Sequence, residues 1–476
     1  MTDTNNKQTE RLIFKLVTLG CRVNRYESDA ISQGLQSYGW EDHDLIEDNE
    51  SLPDVYVINT CGVTKEAARK SRQMVHKCLK ANPKAYVVAV GCQIDLAHDT
   101  LGAHLGISNN DKAKAAQIVY TQYKDFLAQN GTEYPKHLLP RRQAACTFSD
   151  FGIVKQQSET RAFIKIQDGC QLNCSYCAIP LARGPVRSRP LDVIVDEAKA
   201  LLANGFKEIV LTGIHISSYG LDLRKQAENV SLIDVMRAID NLPNIERLRL
   251  GSLEPRLITA KFVEQIATLK HLTPHFHLSL QSGSDSVLRR MRRRYTTREY
   301  SKAIDLLKNL YPELNLTTDI IAGFPGESLE EHQASMRYVE EKGFTHLHVF
   351  PFSQREGTLA NTMPNQLDNS LKRARTKEFI KLNNMLWRKR ANLEIGRQHE
   401  VLLESKIAKE DALTAEQQKF FGLENVFAEV SGYTYNYLPV RLFFTDEEQF
   451  RQCHCNDLVK VEIFSHDGDD LFAKLL

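Results

Sequence analysis

Three cysteines lie close together in the segment DGCQLNCSYCAIP, residues 168–180. Cys170, Cys174 and Cys177 are separated by three and then by two residues, and no fourth cysteine lies nearby. Structural zinc sites usually use four protein ligands, and iron–sulfur clusters usually take four thiolates. A set of three therefore indicates an iron centre with one position left open for a ligand that is not protein. The alternative is a structural zinc site with a distant fourth ligand.

A second set of cysteines is spread along the first hundred residues. Cys21, Cys61 and Cys92 each follow a short apolar segment. These segments are LIFKLVTL (12–19), DVYVINT (54–60) and AYVVAV (85–90). After the first two, apolar residues recur at helical spacing at about 26–38 and 64–80. Alternating strands and helices predict a parallel sheet, in which sites form beyond the carboxyl ends of the strands. We therefore expect the three cysteines to converge on one edge, unless they are only small buried residues that cap strands.

The elements that would position these cysteines fall into successive regions of an α/β protein. A chain of 476 residues exceeds one ordinary domain, and its length favours about three. We expect a parallel α/β sheet domain at 10–125, a polar linker at 126–157, a second alternating domain at 158–392 and a small β domain at 396–476.

The second domain contains six strand candidates separated by helical patterns. The strands are expected at 161–166, 207–212, 245–250, 275–280, 315–321 and 345–350, and the helices include 191–203, 231–240, 285–309 and 327–342. This order predicts a complete or partial parallel (β/α)6 barrel, whose site lies at the carboxyl ends of the strands. The loop with Cys170 directly follows the first strand and therefore lies at that face.

The last region differs from the others, because HEVLLES, NVFAEVSG, YLPVRLFF and LVKVEIFSH alternate apolar and polar residues. This pattern predicts a small antiparallel barrel of the kind that commonly binds RNA. The net charge is only +1, but RRMRRRYTTR (289–298) carries six arginines. Several basic segments in one chain favour a polyanionic partner over a merely solvated helix face.

Composition limits the class of protein. The apolar share is 42% and the charged share 25%, and no apolar run approaches the roughly 18 residues that span a bilayer. The start, MTDTNNKQTERL, is polar and has no signal-peptide core, so we expect a cytoplasmic protein without a membrane partner. In that compartment the ten cysteines are expected to be metal ligands or buried thiols rather than disulfides.

The spacing CxxxCxxC with Tyr176, after a strand that opens a barrel, strongly resembles the radical S-adenosylmethionine (SAM) enzymes. The resemblance implies that Cys170, Cys174 and Cys177 hold a [4Fe–4S] cluster. The amino and carboxylate groups of SAM would then chelate its fourth iron.

Seven segments together resemble the methylthiotransferases within that superfamily. They are TLGCRVNRYESD, VINTCGVT, AVGCQ, RAFIKIQDGCQLNCSYCAIPLARGPVRSRP, LTGIHISSYG, FHLSLQSGSDSVLRRMRR and DIIAGFPGE, in family order from residue 12 to about 360. By this resemblance Cys21, Cys61 and Cys92 bind a second [4Fe–4S] cluster that carries sulfur, and the terminal β domain is a TRAM domain. Family members attach a methylthio group to an unactivated carbon.

The first motif separates the branches of the family. LGCRVNRYES is closest to the LGCKVNQYES of the threonylcarbamoyladenosine branch, whereas ribosomal-protein-modifying members resemble SLGCPKN and isopentenyladenosine-modifying members TFGCQMN. GCQIDLA departs from the usual GCYAQ of that branch, although Cys92 is kept. The resemblance implies a tRNA anticodon stem-loop, modified at C2 of adenine 37, and a low-potential electron donor such as flavodoxin or ferredoxin. Isopentenyladenosine, a ribosomal-protein aspartate and a zinc-binding RNA adaptor remain the alternatives.

Further residues are candidates for cosubstrate and RNA contacts. Candidates for SAM binding lie at the ends of the barrel strands: Gly213, Ser252, Glu254, Gln281 and Asp319. Each has a plainer alternative as a turn, cap or strand-end residue. Candidate phosphate contacts are arginines near the cysteine loop and in the basic segment: Arg183, Arg187, Arg289, Arg290, Arg292 and Arg293.

Overall fold

A computed structural model describes residues 11–46, 51–128, 134, 136–139, 147–226, 229–408, 426 and 428–476. The first domain contains a parallel six-stranded sheet in the order β2-β1-β3-β4-β5-β6. Its strands are β1 Ile13–Thr18, β2 Glu41–Asp42, β3 Val55–Thr60, β4 Tyr86–Gly91, β5 Leu105–Ile107 and β6 His137–Leu138. The expected parallel sheet is thus confirmed. Strand β6 lies within the expected linker, which partly falls outside the described residues.

Helices cover both faces of this sheet. They are α1 Arg22–Ser37, α2 Lys65–Ala81, α3 Cys92–Ala97 and α4 Ala115–Ala128. Strands β3 and β4 are buried along their whole length, as expected for central parallel strands with apolar side chains on both faces. Val57 and Val88 pack with residues of α1 and α4, whereas Ile58 and Val87 pack with residues of α2.

All six strands expected for the second domain are present. They are β7 Ala162–Asp168, β9 Glu208–Gly213, β10 Arg247–Leu250, β11 His275–His277, β12 Asn315–Ala322 and β13 His346–Pro351, and the short β8 Arg187–Ser188 pairs antiparallel with β7. The order β7-β9-β10 continues into β11-β12-β13 through parallel bridges at Leu248–Leu272 and Leu253–Leu278. The result is a partial parallel barrel, with β8 at one edge and β13 at the other.

Except for the short first one, the helices of this domain contribute apolar side chains to the core that packs against the barrel strands. They are α5 Ile179–Arg183, α6 Leu191–Ala203, α7 Leu232–Asp240, α8 Ala260–Ile266, α9 Asp285–Arg290, α10 Thr297–Leu310 and α11 Leu329–Lys342. The prediction of one helix over 285–309 is wrong. The chain leaves the helix at Met291, and Arg292 takes a left-handed φ of 56° before Thr296 caps α10.

The last domain is a closed barrel in the order β14-β15-β16-β18-β17. Its elements are β14 Gln398–Ala408, β15 Ala428–Thr434, β16 Pro439–Phe444, α13 Glu447–Gln452, β17 Leu458–His466 and β18 Leu471–Leu475. The expected small antiparallel barrel is confirmed: four of its strand pairs are antiparallel, and only β16 and β18 among the described strands pair in parallel. Helix α13 and strand β17 lie between them in the chain, so both strands run the same way where the barrel closes.

One long helix, α12 Asn369–Glu394, connects the second and last domains. Phe379 and Leu382 belong to the core of the partial barrel, while Trp387 and Ala391 belong to the core of the closed barrel. Burial of one helix in two cores fixes the two domains relative to each other. Among the described residues, every helix is too short or too polar to span a bilayer.

Candidate active site

The cysteine loop follows β7 at the carboxyl end of the partial barrel. Cys170 donates its backbone N–H to the carbonyl of Gly184 at 3.0 Å, and Cys177 donates to the carbonyl of Cys174 at 3.1 Å. Ser175 lies buried between them and donates to the carbonyl of Met291 at 3.0 Å. These bonds hold the backbone of the loop while the three cysteines remain partly exposed.

Glycine at position 169 is required by this loop. Gly169 has a φ of 71°, and a Cβ placed there would lie 1.8 Å from the carbonyl oxygen of Pro185. Only glycine permits both the left-handed conformation and the close approach. The sequence DGC therefore encodes the turn that starts the cysteine loop.

The thiols of this loop lie beside charged groups. The guanidinium of Arg293 donates to Cys174 Sγ at 3.3 Å and lies 4.0 Å from the carboxylate of Glu254. Burial, together with the neighbouring Cys174 and Cys170, raises the pKa of the Cys177 thiol to about 12. Metal binding removes such protons, and the backbone N–H of Ile179 and the Arg293 guanidinium compensate thiolate charge. The donor set therefore fits a cluster held by three thiolates.

The second set of cysteines converges at the carboxyl edge of the first sheet. Cys21 precedes α1 and is exposed, Cys61 directly follows β3, and Cys92 begins α3. A Cβ on Gly20, which has a φ of 107°, would lie 2.9 Å from Cys61 Sγ. Burial raises the pKa of the Cys61 thiol to about 11, and the nearby Cys92 and Cys21 thiols add to the increase. This set also provides three neighbouring thiols for a cluster.

The two sets of cysteines lie at edges that face each other. Arg183, at the end of α5 in the cysteine loop of the barrel, donates from Nε to Cys92 Sγ at 3.3 Å. Asn109 donates from its side chain to the carbonyl of Ala182 at 3.1 Å. The backbone N–H of Lys65 donates to Ser353 Oγ, which follows β13, at 2.9 Å. Contacts on two sides thus join the two domains around the cysteines.

A buried network of charges lies beneath this junction. The Glu27 carboxylate accepts hydrogen bonds from Lys112 at 2.6 Å, Lys165 at 2.7 Å and Arg183 at 2.8 Å. Asp168 accepts from Lys165 at 2.7 Å and from Arg183 at 3.1 Å. Burial alone would raise the pKa of Glu27, but the three cations hold it well below its ordinary value. The sequence analysis missed this network, although Glu27 and Asp168 both lie within the quoted cysteine motifs.

Three of the arginines predicted as phosphate contacts have side chains that turn into the protein. Arg183 and Arg187 are 1% and 2% exposed, because both guanidinium groups point into the charge network. Arg293 is turned inward to Cys174. Arg290 forms an ion pair with Glu331 at 2.7 Å and is partly buried. The remaining two arginines of the prediction, Arg289 and Arg292, have exposed side chains.

The candidates for SAM binding occupy the carboxyl ends of the barrel strands. Glu254 is buried, and its carboxylate lies 3.6 Å from His215 Nε2 as well as near Arg293. Burial would raise the pKa of Glu254, but His215 and Arg293 hold it below its usual range. Asp319 lies 3.2 Å from His277 Nε2.

The other three candidates differ in exposure. Gln281 is buried with a φ of 71°, and its backbone N–H donates to the carbonyl of Asp319 at 2.8 Å. Ser252 is exposed. Gly213 has no side chain and so leaves room for Gln167: a Cβ on Gly213 would lie 2.9 Å from the backbone carbonyl oxygen of Gln167. The close packing of Gly213 thus has a cause within the protein.

The side chains of His277, His348, Arg22 and Tyr437 border one region beside the edge strand β13, which is called the cleft below. His346 and His348 on the edge strand β13 are exposed, and the His348 ring lies 5.5 Å from that of His277. Tyr437, from the turn between β15 and β16, receives a hydrogen bond from Arg22 at 3.0 Å. The quoted motifs contain Arg22 and His277 but not His346, His348 or Tyr437, and the sequence did not predict that they meet because they come from three separate domains.

Within the described ranges, no group of three or more His, Cys, Asp or Glu side chains is arranged to hold a single metal ion. A cubane cluster binds each thiolate on a different iron, so its cysteines lie further apart than the ligands of one ion. Sequence spacing and position at the strand ends therefore indicate the two sets of cysteines.

Family models match two parts of the chain. Residues 164–339 match the model described as "Radical SAM superfamily". Residues 13–108 match the model described as "Uncharacterized protein family UPF0004". The two matched ranges together contain all six cysteines.

Curated relatives match most of the chain. The threonylcarbamoyladenosine tRNA methylthiotransferase MtaB of Bacillus subtilis is 34% identical over 428 residues, which are 89% of this chain and 88% of that protein. The protein of the same name from Chlamydia pneumoniae is 34% identical over 82% of this chain and 86% of its own length. The tRNA-2-methylthio-N(6)-dimethylallyladenosine synthase of Pelotomaculum thermopropionicum is 31% identical over the same shares, 82% and 86%.

Among solved structures, the radical SAM methyltransferase TsrM from Kitasatospora setae has a TM-score of 0.54 with this chain. The match covers 74% of this chain and 77% of that chain at 15% sequence identity. At this identity the likeness concerns the fold alone.

Proposed function

We propose that this chain, which belongs to the radical SAM methylthiotransferase family, converts N6-threonylcarbamoyladenosine at position 37 of tRNA to its 2-methylthio derivative. The observation that supports this most strongly is the pair of cysteine sets at facing carboxyl edges, joined by the Arg183–Cys92 hydrogen bond. The substrate follows from the names of the relatives at 34% identity and from the segment LGCRVNRYES.

The reaction requires removal of hydrogen from an inert C–H bond, which ordinary acid–base groups cannot do. When bound, SAM and two [4Fe–4S] clusters would supply this chemistry: the first cluster would provide the electron for reductive cleavage of SAM and so for hydrogen removal from C2, and the second would carry the methylthio sulfur. Cys170, Cys174 and Cys177 would hold the first cluster. Cys21, Cys61 and Cys92 would hold the second.

The protein's own residues position and shield these groups. Arg293 donates to Cys174, and Arg183 donates to Cys92, so each set of thiolates has one guanidinium that stabilises its negative charge. Glu254 and Asp319 provide carboxylates at the carboxyl ends of barrel strands, where ribose hydroxyls or the amino group of SAM would bind. Gly213, Ser252 and Gln281 remain candidates for the same ligand.

The RNA partner is the anticodon stem-loop, whose target base would splay from its stack into the cleft. The exposed Arg289 and Arg292, with the last domain as a TRAM domain, would contact phosphates. The proposal includes the expected domains at 10–125, 158–392 and 396–476, a cytoplasmic location and a flavodoxin- or ferredoxin-like electron donor.

Anaerobic reconstitution tests the two cofactors separately. The wild-type protein should bind about eight irons per chain, as two clusters require, and a strong reductant with SAM should yield 5′-deoxyadenosine. Cys174→Ala should abolish that product, whereas Cys61→Ala should retain it but form no methylthio nucleoside. Full methylthiolation by Cys61→Ala would refute the second cluster. Zinc without iron would favour an RNA adaptor.

The substrate is tested by mass spectrometry of hydrolysed tRNA from a strain that lacks this gene. Loss of the methylthio form of threonylcarbamoyladenosine, with the isopentenyl-type nucleoside unchanged, is the expected result. Restoration by the wild-type gene, but not by Cys174→Ala, assigns the effect to this enzyme. Unchanged tRNA together with an unmodified ribosomal protein would contradict the substrate assignment.

A further inference from the structure

Arg22 occupies an unusual position at the junction of the three domains. It is the first residue of α1 and directly follows Cys21. Its guanidinium donates from Nη2 to Tyr437 Oη at 3.0 Å and is only partly buried. Desolvation among its neighbours, with His277 and His346, lowers the pKa of His348 to about 4, and the charge of Arg22 lies near enough to contribute a smaller part. Arg22 therefore faces the cleft beside the second set of cysteines.

The neighbouring arginines of this cleft are neutralised within the protein. Arg161 pairs with Glu404 at 2.5 Å, Arg247 with Glu400 at 3.1 Å and Arg249 with Glu208 at 2.5 Å. Arg22 differs from them, because no described carboxylate lies within ion-pair distance of it. The end of the cleft at Tyr437 thus has an excess of positive charge.

The phenol of Tyr437 reflects this excess. Burial would raise its pKa, but the guanidinium groups of Arg22, Arg161 and Arg249 hold the pKa below its ordinary value. Arg249 and Arg161 lie over the ring at 4.6 Å and 5.0 Å from its centroid. A group that carries negative charge would be stabilised at the same place.

We propose that Arg22 binds the carboxylate of the threonylcarbamoyl group of the substrate and thereby selects this nucleoside over uncharged N6-substituted adenosines. The inference rests on the proposed function. In adenine, C2 and C6 both flank N1 and N6 is bonded to C6, so a substituent on N6 can extend past N1 along the edge that presents C2. When C2 faces the sulfur donor at Cys21, the substituent therefore lies near the next residue in the chain. The planar guanidinium matches a carboxylate through two parallel hydrogen bonds.

The experiment compares two RNA hairpins with anaerobically reconstituted full-length protein. One hairpin carries N6-threonylcarbamoyladenosine, and the other carries the same nucleoside with its carboxylate converted to a carboxamide. Fluorescence anisotropy gives the dissociation constant of each, and mass spectrometry gives the initial rate of methylthiolation. The wild-type protein should prefer the carboxylate by roughly 10- to 100-fold in affinity, as a charge-assisted hydrogen bond provides.

Arg22→Gln should bring the preference to about one, mainly through weaker binding of the carboxylate hairpin. Arg22→Lys, which keeps the charge but not the paired donors, should retain part of the preference. Arg25→Gln is the matched control, since Arg25 lies on the same helix, is partly buried like Arg22 and pairs with Glu159 at 3.1 Å. This control should keep the wild-type preference.

The outcomes separate this inference from the proposed function. A wild-type preference that survives in Arg22→Gln would overturn the inference, and so would equal weakening of both hairpins, which indicates a phosphate contact. A wild-type enzyme that methylthiolates the carboxylate hairpin without preferring it would also overturn it and leave the proposed function intact. Methylthiolation of neither hairpin would refute the proposed function and with it the inference.

Discussion

Replacement of Glu27 by glutamine tests whether the buried charge network holds the first and second domains together. Glu27 is 1% exposed and accepts from two lysines and one arginine, of which Lys165 and Arg183 belong to the second domain. Glutamine keeps the shape of the side chain but removes the charge. Its amide N–H groups would point at cations that can only donate.

The expected cost follows from the loss of one partner in a buried ion pair. Such a loss typically costs about 3–5 kcal/mol, because the remaining charge stays buried without compensation. Asp168 continues to accept from Lys165 and Arg183, so we expect the lower end, about 3 kcal/mol. That is a large part of the roughly 5–15 kcal/mol that stabilises a typical protein.

Urea unfolding followed by circular dichroism, with hydrogen exchange on the same protein, measures the effect. Hydrogen exchange shows which domain loses stability, which matters because a chain of several domains can unfold in stages. Peptides of α1, β7 and α5 should exchange faster in Glu27→Gln, and those of the closed C-terminal barrel should not. Glu66→Gln, which removes an exposed carboxylate paired with Arg69, should leave the midpoint unchanged.

The pH dependence gives a second measure of the same network. The pKa of Glu27 is held well below its ordinary value, so its contribution is fully present above about pH 5 and is lost as the pH falls below about 4. The difference between wild type and Glu27→Gln should therefore be constant from about pH 5 to 8 and shrink in acid. A loss below about 1 kcal/mol at neutral pH, or uniform exchange changes across all domains, would refute the reasoning.

Two further changes test local features. Gly169→Ala would place a Cβ 1.8 Å from the Pro185 carbonyl oxygen, so the variant should lose about half of its bound iron. Metal analysis after reconstitution measures this loss. The control Gly205→Ala, with open space around its Cβ, should retain its iron. Burial raises the pKa of Asp29 to about 6, so its contribution to stability is lost as the pH rises from about 4 to 6. Asp29→Asn should therefore be more stable than wild type at pH 8 by about 1–2 kcal/mol in urea unfolding, and equal stability of the two proteins at pH 8 would contradict the assignment.

The sequence alone was sufficient for features that depend on local spacing. The positions of the barrel strands follow from short apolar runs between helical patterns, and all six are present in the structure. The placement of Cys61 and Cys92 at strand ends follows from the same alternation, because parallel strands present their carboxyl ends at one edge. The spacing from Cys170 to Cys177 is enough to indicate the radical SAM superfamily without any tertiary contact.

Only the tertiary structure decided which charged residues face solvent. The sequence predicts Arg183 and Arg293 as RNA contacts because they are arginines in or near basic segments. In the structure each side chain turns inward to a cysteine of the proposed clusters. Their partners come from distant parts of the chain: Glu27 and Arg183 are 156 residues apart. Periodicity reports the burial of each element's apolar face, whereas charge pairing depends on which elements meet, and that is set by the packing of whole domains.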